Sequence, residues 1–258
     1  MASPAYTTKV TYVEHYTESY FRFRVERPES LNFVSGQFIM LGLIVDDKPL
    51  MRAYSIACPN WDEELEFYSI IIPDGALTSR LKDIKVGDEI VLSAKAVGTL
   101  TTRGLLPDAK RLILLSTGTG FAPFASIIRD EEVYGDFEQV IVTQTCRGVK
   151  DLQYAIDRVE EAKECPLVGE EASEQLVFYG SVTREPYEFQ GRITTLMENK
   201  KLFRDLNIPS LNPATDRIMI CGSMEMLHDI QSILDGLGFS RGSNSKPGHY
   251  VWERAFTG

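Results

Sequence analysis

Two short runs carry most of the chemistry open to this chain: Arg52-Ala53-Tyr54-Ser55 and, farther on, Ser116-Thr117-Gly118-Thr119-Gly120-Phe121-Ala122-Pro123. Alternate residues of an extended strand share a face, so Arg52 and Tyr54 point one way, Ala53 and Ser55 the other. A guanidinium grips phosphate oxygens as a fork, a phenol ring lies on a flat heterocycle, and a nearby hydroxyl bonds that heterocycle's polar edge. The second run follows Arg111-Leu112-Ile113-Leu114-Leu115, the pattern of a fully buried parallel strand. Gly118 and Gly120 let the backbone approach a pyrophosphate at a helix start, although Pro123 stands where the usual fingerprint has its third glycine. Taken separately, the first run reads as an ordinary edge strand, and the second could be a plain strand-to-helix turn. Together they point to two nucleotide cofactors on one chain, a flavin and a nicotinamide.

A noncovalent flavin needs a ring partner, a polar group near its N5 and positive charge for its diphosphate. Tyr54, Ser55 and Arg52 supply these in turn. The run Gly75-Ala76-Leu77-Thr78-Ser79 adds backbone N–H groups and hydroxyls at a helix start, a natural phosphate seat and equally an ordinary capped helix. For the nicotinamide cofactor, an acidic residue at a strand end would accept from a ribose hydroxyl and signal NAD. Instead Thr183 and Arg184 follow the predicted strand Gln175–Ser181, with Arg192 close behind, and these suit the extra 2′-phosphate of NADP(H). Arg147 and the backbone of Ser223, Met224, Glu225, Met226 and Leu227 are candidates for the same cofactor's diphosphate.

The elements that must position these residues fall into two styles. In Tyr20–Glu26, Phe21, Phe23 and Val25 alternate with Arg22, Arg24 and Glu26. Similar strands are expected at Lys9–Tyr16, Gln37–Ile44, Leu50–Ala57, Leu65–Ile72 and Glu89–Ala94, with a brief helix at Leu77–Lys82, which suggests a closed antiparallel barrel. After Leu106-Pro107-Asp108 the rhythm changes. Strands at Arg111–Ser116, Gln139–Thr145, Gln175–Ser181 and Asp216–Cys221 alternate with helices at Ala122–Glu132, Leu152–Lys163, Ile193–Asn199 and Met224–Leu237. That is the signature of an α/β doubly wound parallel sheet. A last strand is expected near Gly248–Arg254, and the acidic segment 164–174 reads as a surface loop. We therefore expect an antiparallel β-barrel domain over 1–106 and an α/β domain over 107–258.

Composition sets the outer bounds. The chain has 258 residues, enough for two domains with separate cores, and its 43% hydrophobic and 25% charged content is that of a soluble globular protein. A net charge of −10 argues against nucleic acid. No apolar run reaches the length of about 18 residues that a membrane helix needs, and no signal peptide is evident. Cys58, Cys146, Cys165 and Cys221 are scattered, as are His15, His228 and His249, so no metal is expected and free thiols in a reducing cytoplasm are.

In order and spacing, Arg52–Ser55, Gly75–Leu81, Gly118–Pro123, Ser181–Arg184, Cys221–Met224 and the tail Val251-Trp252-Glu253-Arg254-Ala255-Phe256 resemble the ferredoxin–NADP(H) reductase family, in particular its bacterial members. The resemblance spans essentially the whole chain. It implies FAD and NADP(H) as cofactors, hydride transfer between nicotinamide C4 and flavin N5, and one-electron exchange with ferredoxin or flavodoxin. It further implies a monomer, flavin contacts from Ser69, Ile70, Ile71, Thr117 and Arg254, and a reacting centre built around Ser55, Cys221, Glu253 and Ala255. Cys221 would be a small polarizable wall and Glu253 a proton-handling or nicotinamide-holding carboxylate. Plant-type members end in an aromatic residue over the flavin; Ala255 matches that position, and Phe256 is expected to pack on the adenine of a folded FAD. Because such carrier proteins are generally acidic, docking would need a local basic patch, with Arg80, Lys82, Lys85, Lys95 and Arg103 as candidates. Two alternatives stand beside this: the reductase component of an oxygenase, which often carries closely spaced iron–sulfur cysteines, and a flavin-binding regulatory subunit, which would lack the NADP-binding residues.

Overall fold

The computed structural model describes residues 5–255. The chain divides into two compact units. One holds the described chain up to Gly98 together with Ala122–Ile127; the other holds Thr99–Phe121 and Ile128–Ala255.

In the first unit, alternation builds the sheet. Strands β1 (Tyr6–His15), β2 (Tyr20–Glu26), β3 (Phe38–Val45), β4 (Lys48–Ser55), β5 (Glu64–Ile70) and β6 (Glu89–Leu92) form one antiparallel sheet ordered β4-β3-β6-β1-β2-β5. The ends of that order meet, since the Ala57 N–H donates to the Glu66 carbonyl at 2.8 Å. Phe21, Phe23 and Val25 are fully buried and pack with Ile39, Leu41, Phe67 and Leu92, while Arg22 and Arg24 stand on the opposite face. There they close on the buried carboxylate of Glu66, Arg24 Nε at 2.8 Å and Arg22 Nη1 at 3.3 Å. Such a carboxylate needs both partners, because an unpaired buried charge is costly. The helix α1 (Thr78–Leu81) lies between β5 and β6 in the chain, and its Leu81 joins the core.

The second unit is a parallel sheet. Strands β7 (Arg111–Thr117), β8 (Gln139–Cys146), β9 (Leu176–Val182), β10 (Asp216–Gly222) and β11 (Tyr250–Arg254) are ordered β11-β10-β7-β8-β9. The chain winds outward from β7 to β9, then crosses back to lay β10 on the other side of β7. That reversal puts a crevice at the C-terminal ends of β7 and β10, the place where open α/β sheets bind ligands. Helices α4 (Gln153–Glu164), α6 (Ile193–Glu198) and α8 (Met224–Gly236) match expected positions.

Two expectations need correction, and one element is additional. The helix expected over Ala122–Glu132 is two, α2 (Ala122–Ile127) and α3 (Glu131–Asp136), because Asp130 turns extended and its carboxylate accepts the Glu132 N–H at 3.2 Å as an N-cap. The segment 164–174 is not a loop throughout: α5 (Gly169–Gln175) buries Ala172 and carries Glu170 and Glu171 in its first turn, where the helix dipole favours acids. A short helix, α7 (Lys201–Asp205), was not anticipated; it follows Lys200 at φ +60° and is clasped by a Lys201–Asp205 ion pair.

Candidate functional site

The Arg52–Ser55 run lies at the end of β4. Its pairing with β3 is unbroken, setting Ile39 opposite Tyr54 and Leu41 opposite Arg52. Arg52 and Tyr54 therefore do share a face, and it is the face of the barrel core. Tyr54 is only 9% exposed; its ring stands near-perpendicular to Phe23 and Phe67, and its hydroxyl meets Ser69 Oγ at 3.0 Å. The ring expected to lie on a flat heterocycle is thus held in one orientation by packing as well as by its phenol. Arg52, Ala53 and Ser55 are half-buried, as are Ile70 and Ile71, while Ser69 is buried. Arg52 Nη1 donates to the Met51 carbonyl at 2.9 Å.

The turn after β5 is built around Thr78. Its hydroxyl both accepts the Ile72 N–H and donates to the Ile72 carbonyl, each at 3.2 Å. A Cβ on Gly75 would lie 2.4 Å from that hydroxyl and 3.1 Å from Ile72 Cβ, so the tight turn depends on glycine. The N–H groups of Ala76, Leu77 and Thr78 donate to no group among the described residues. Three consecutive amides at a helix start, with Arg52 on the same unit, have the donor chemistry that a diphosphate needs. Leu77 and Thr78 are buried, Ser79 half-buried and Ala76 exposed. These residues fit the diphosphate and ring of FAD.

In the second unit, β7 runs into a 3₁₀ turn at Gly118–Phe121 that opens with Gly118 at φ +53°. Gly120 lies against β10 so closely that a Cβ would come within 2.2 Å of the Cys221 carbonyl oxygen. Gln144 Nε2, buried on β8, donates to the Gly118 carbonyl at 2.9 Å and fixes the turn from the other side. Thr117 and Thr119 are half-buried, and the Thr117 hydroxyl donates to Met226 Sδ at 3.4 Å. Ser223 caps α8 by accepting the Met226 N–H at 3.3 Å. Met224 is half-buried, Glu225 exposed, and Met226 and Leu227 belong to the core. The two glycine turns, Gly118–Gly120 and Gly222, thus pack directly against each other at the C-terminal ends of β7 and β10, leaving backbone without side chains where a dinucleotide diphosphate would sit.

Beside it, the ends of β8 and β9 are joined. The Thr183 N–H and hydroxyl reach the Cys146 carbonyl at 3.1 and 3.3 Å, and the Arg184 N–H reaches the Arg147 carbonyl at 3.0 Å. Both arginines are exposed, and among the described residues neither pairs with a carboxylate. The chain then loops back, Gly191 N–H to Val182 carbonyl at 2.9 Å, to bring in Arg192, which pairs with Glu225 at 3.4 Å on the open surface.

Cys221 and Glu253 are register partners on β10 and β11. Burial, with the nearby Glu253 adding to it, pushes the Cys221 thiol far up, so it stays protonated and is no nucleophile. Burial raises the Glu253 carboxyl from 4.5 to about 7, opposed by a hydrogen bond from the Thr99 backbone. The folded chain therefore holds this proton more tightly than the unfolded one. Stability from this group is full below about pH 4.5, falls as pH rises through about 7, and is flat above, a span of at most about 3 kcal/mol. Glu253→Gln, which keeps an acceptor for Thr99, is expected to flatten that slope and to raise stability above pH 7. Urea unfolding at pH 5 and pH 8 measures it, and equal slopes in both proteins would contradict the assignment. Arg254 is exposed, and the half-buried Ala255 donates its N–H to the Gly222 carbonyl at 2.9 Å. Phe256 lies outside the described residues.

Gln144, Met226 as a partner of Thr117, and the Thr99 N–H were not identified from sequence. Only Gln144 left a trace there, as an amide in a strand that also carries Val140, Ile141 and Val142. Arg80, Lys82, Lys85 and Lys95 are exposed on the first unit, whereas Arg103 is exposed on the second. Among the described residues no helix is long and apolar enough to cross a membrane, and no group of three or more His, Cys, Asp or Glu gathers for a metal.

An antiparallel barrel with a tight glycine turn of unbonded amides, followed by a parallel sheet with a glycine-lined switch point, fits a flavin- and nicotinamide-dependent oxidoreductase. The family model for the oxidoreductase FAD-binding domain matches residues 7–100, and that for the oxidoreductase NAD-binding domain matches 114–232. A flavodoxin/ferredoxin–NADP reductase of Rhodobacter capsulatus is 51% identical over 250 residues, covering 96% of this chain and 92% of that one. A ferredoxin–NADP reductase of Pseudomonas aeruginosa is 48% identical over 255 residues, 98% of each. The crystal structure of a ferredoxin NADP+ reductase from Neisseria gonorrhoeae with bound FAD and NADP superposes with a TM-score of 0.87 at 30% identity, over 97% of this chain and 98% of that one. The chain belongs to the bacterial ferredoxin–NADP reductase family.

Proposed function

We propose that this protein exchanges electrons between NADP(H) and a ferredoxin or flavodoxin by way of a noncovalent FAD. The observation that carries the nicotinamide half is the joined end of β8 and β9, which presents Arg147 and Arg184 without carboxylate partners next to the glycine crevice. FAD, when bound, accepts hydride from the nicotinamide and gives up electrons singly. The chain's own work is to bind, orient and exclude water. We assign Arg52 and the amides of Ala76, Leu77 and Thr78, on the Gly75–Ser79 turn, to the flavin diphosphate, Tyr54 and Ser55 to its ring system, and Ser69, Ile70 and Ile71 to its flanks. To the dinucleotide we assign Gly118–Gly120, Arg147, Thr183, Arg184, Arg192 and the start of α8. Cys221 and Ala255 are small, and so leave room for a nicotinamide. Glu253, titrating near neutral, is suited to hold or release a proton at the reacting centre. Arg80, Lys82, Lys85 and Lys95 are proposed to meet an acidic carrier, and four cysteines buried without a disulfide support a reducing cytoplasmic setting. A monomer is the simplest assembly consistent with this.

The protein is expected to purify yellow with one FAD per chain, released intact by denaturation, and without iron. Stoichiometric FMN or iron would refute the site and favour the oxygenase-component alternative.

A further inference from the structure

Three successive residues just after β9 are tied to the end of β8 and the segment that follows it, and the third tie is made by a side chain. Thr183 and Arg184 bond Cys146 and Arg147 through their backbone amides. Glu185 continues the series: its Oε1 accepts the Val149 N–H. Val149 opens the 3₁₀ turn Val149–Leu152, which runs directly into α4, so this amide is an otherwise unpaired donor at a positive helix end. The neighbouring amide, of Gly148, is taken by Asp151 Oδ2 at 3.1 Å. Gly148 is fitted to this arrangement, because a Cβ there would stand 2.7 Å from Glu185 Oε1.

The charge arrangement makes the contact informative. Glu185 sits next to Arg184 in sequence and within the same bonded strip as Arg147, yet among the described residues it pairs with neither. Its negative charge is directed onto a helix start. A free carboxylate there would compete with a phosphate for the two guanidiniums; a latched one does not, and it also holds the turn that carries Arg184.

We infer that Glu185 is a positioning residue for recognition of the NADP(H) 2′-phosphate. It latches the Arg184 turn to the start of the Val149–Leu152 turn that leads into α4, and keeps its own charge off both arginines. This rests on the reading that Arg184 holds the 2′-phosphate. Gln at 185 retains an acceptor for the Val149 amide, whereas Ala retains nothing.

The test compares Glu185→Ala, Glu185→Gln, Arg184→Ala and the double variant, each FAD-loaded. Calorimetric binding of 2′-phospho-AMP and 5′-AMP is read alongside NADPH kinetics. Glu185→Ala is expected to weaken 2′-phospho-AMP and raise the KM for NADPH about three- to tenfold at unchanged kcat, with 5′-AMP binding and melting temperature little altered. Glu185→Gln should restore most of the loss, and Glu185→Ala should add nothing once Arg184 is Ala. Equal weakening of 2′-phospho-AMP and 5′-AMP, a fall in kcat instead of a rise in KM, or no change would overturn the latch. If Arg184→Ala itself leaves 2′-phospho-AMP binding intact, the phosphate assignment fails and the latch with it. If Arg184→Ala abolishes the preference while Glu185→Ala does not disturb it, only the latch fails.

Discussion

Replacing Arg184 by Ala is expected to lower kcat/KM for NADPH about 10- to 150-fold while changing that for NADH by less than about twofold. Its guanidinium is exposed, carries no carboxylate among the described residues, and stands on a backbone fixed to Arg147 at 3.0 Å. A charged hydrogen bond to phosphate contributes about 1.5–3 kcal/mol, which converts to that range in efficiency. NADH lacks the phosphate, so it loses nothing at this position. Arg184→Lys should fall between, because an ammonium keeps the charge without the planar fork. As an exposed change, it should shift stability by no more than about 0.5 kcal/mol. Steady-state reduction of a dye acceptor with both nucleotides measures the ratio; equal loss for both would mean that Arg184 supports the fold and not the phosphate.

Gly120→Ala is expected to cut reduction by both nucleotides about 100-fold and leave FAD in place. The added Cβ would meet Cys221 O at 2.2 Å, Cys221 C at 2.7 Å and Gly222 N at 3.2 Å, all backbone. That backbone cannot yield, since β10 is hydrogen-bonded to β7 on one side and β11 on the other. The turn itself must move, and a displacement near 1 Å in a positioning element costs about 100-fold in rate. The overpacking strain of about 1–3 kcal/mol is a separate cost, seen as a lower melting temperature. Flavin fluorescence after gel filtration and stopped-flow reduction test this together. Activity within about threefold of the parent would show that the turn does not seat the dinucleotide.

Strand content was readable because alternation is local: Phe21, Phe23 and Val25 identify the inner face of β2 without knowledge of its neighbours. The glycine turns were readable for a similar reason, since close backbone approach leaves few residue choices. What escaped depends on partners far away in the chain. No pattern near Tyr54 tells that Ile39 and Leu41 share its face, so the packing that holds its ring could not be read from the run itself. Gln144 anchors Gly118 from the neighbouring strand, and Thr99, at the start of the second unit, reaches Glu253 near its end. The break at Asp130 and the short helix α5 turn on single capping and burial events that an acidic composition hides. The sites proposed for the two cofactors were legible as motifs; the hydrogen bonds that hold them were not.

The most direct measurement is anaerobic stopped-flow mixing of the FAD-loaded protein with NADPH and, in parallel, with NADH, followed at the flavin absorbance band. The account predicts that NADPH bleaches the band through a long-wavelength charge-transfer phase, that NADH does so far more slowly, and that an added ferredoxin or flavodoxin restores the band. Failure of NADPH to reduce the flavin, or reduction by NADH at an equal rate, would contradict it.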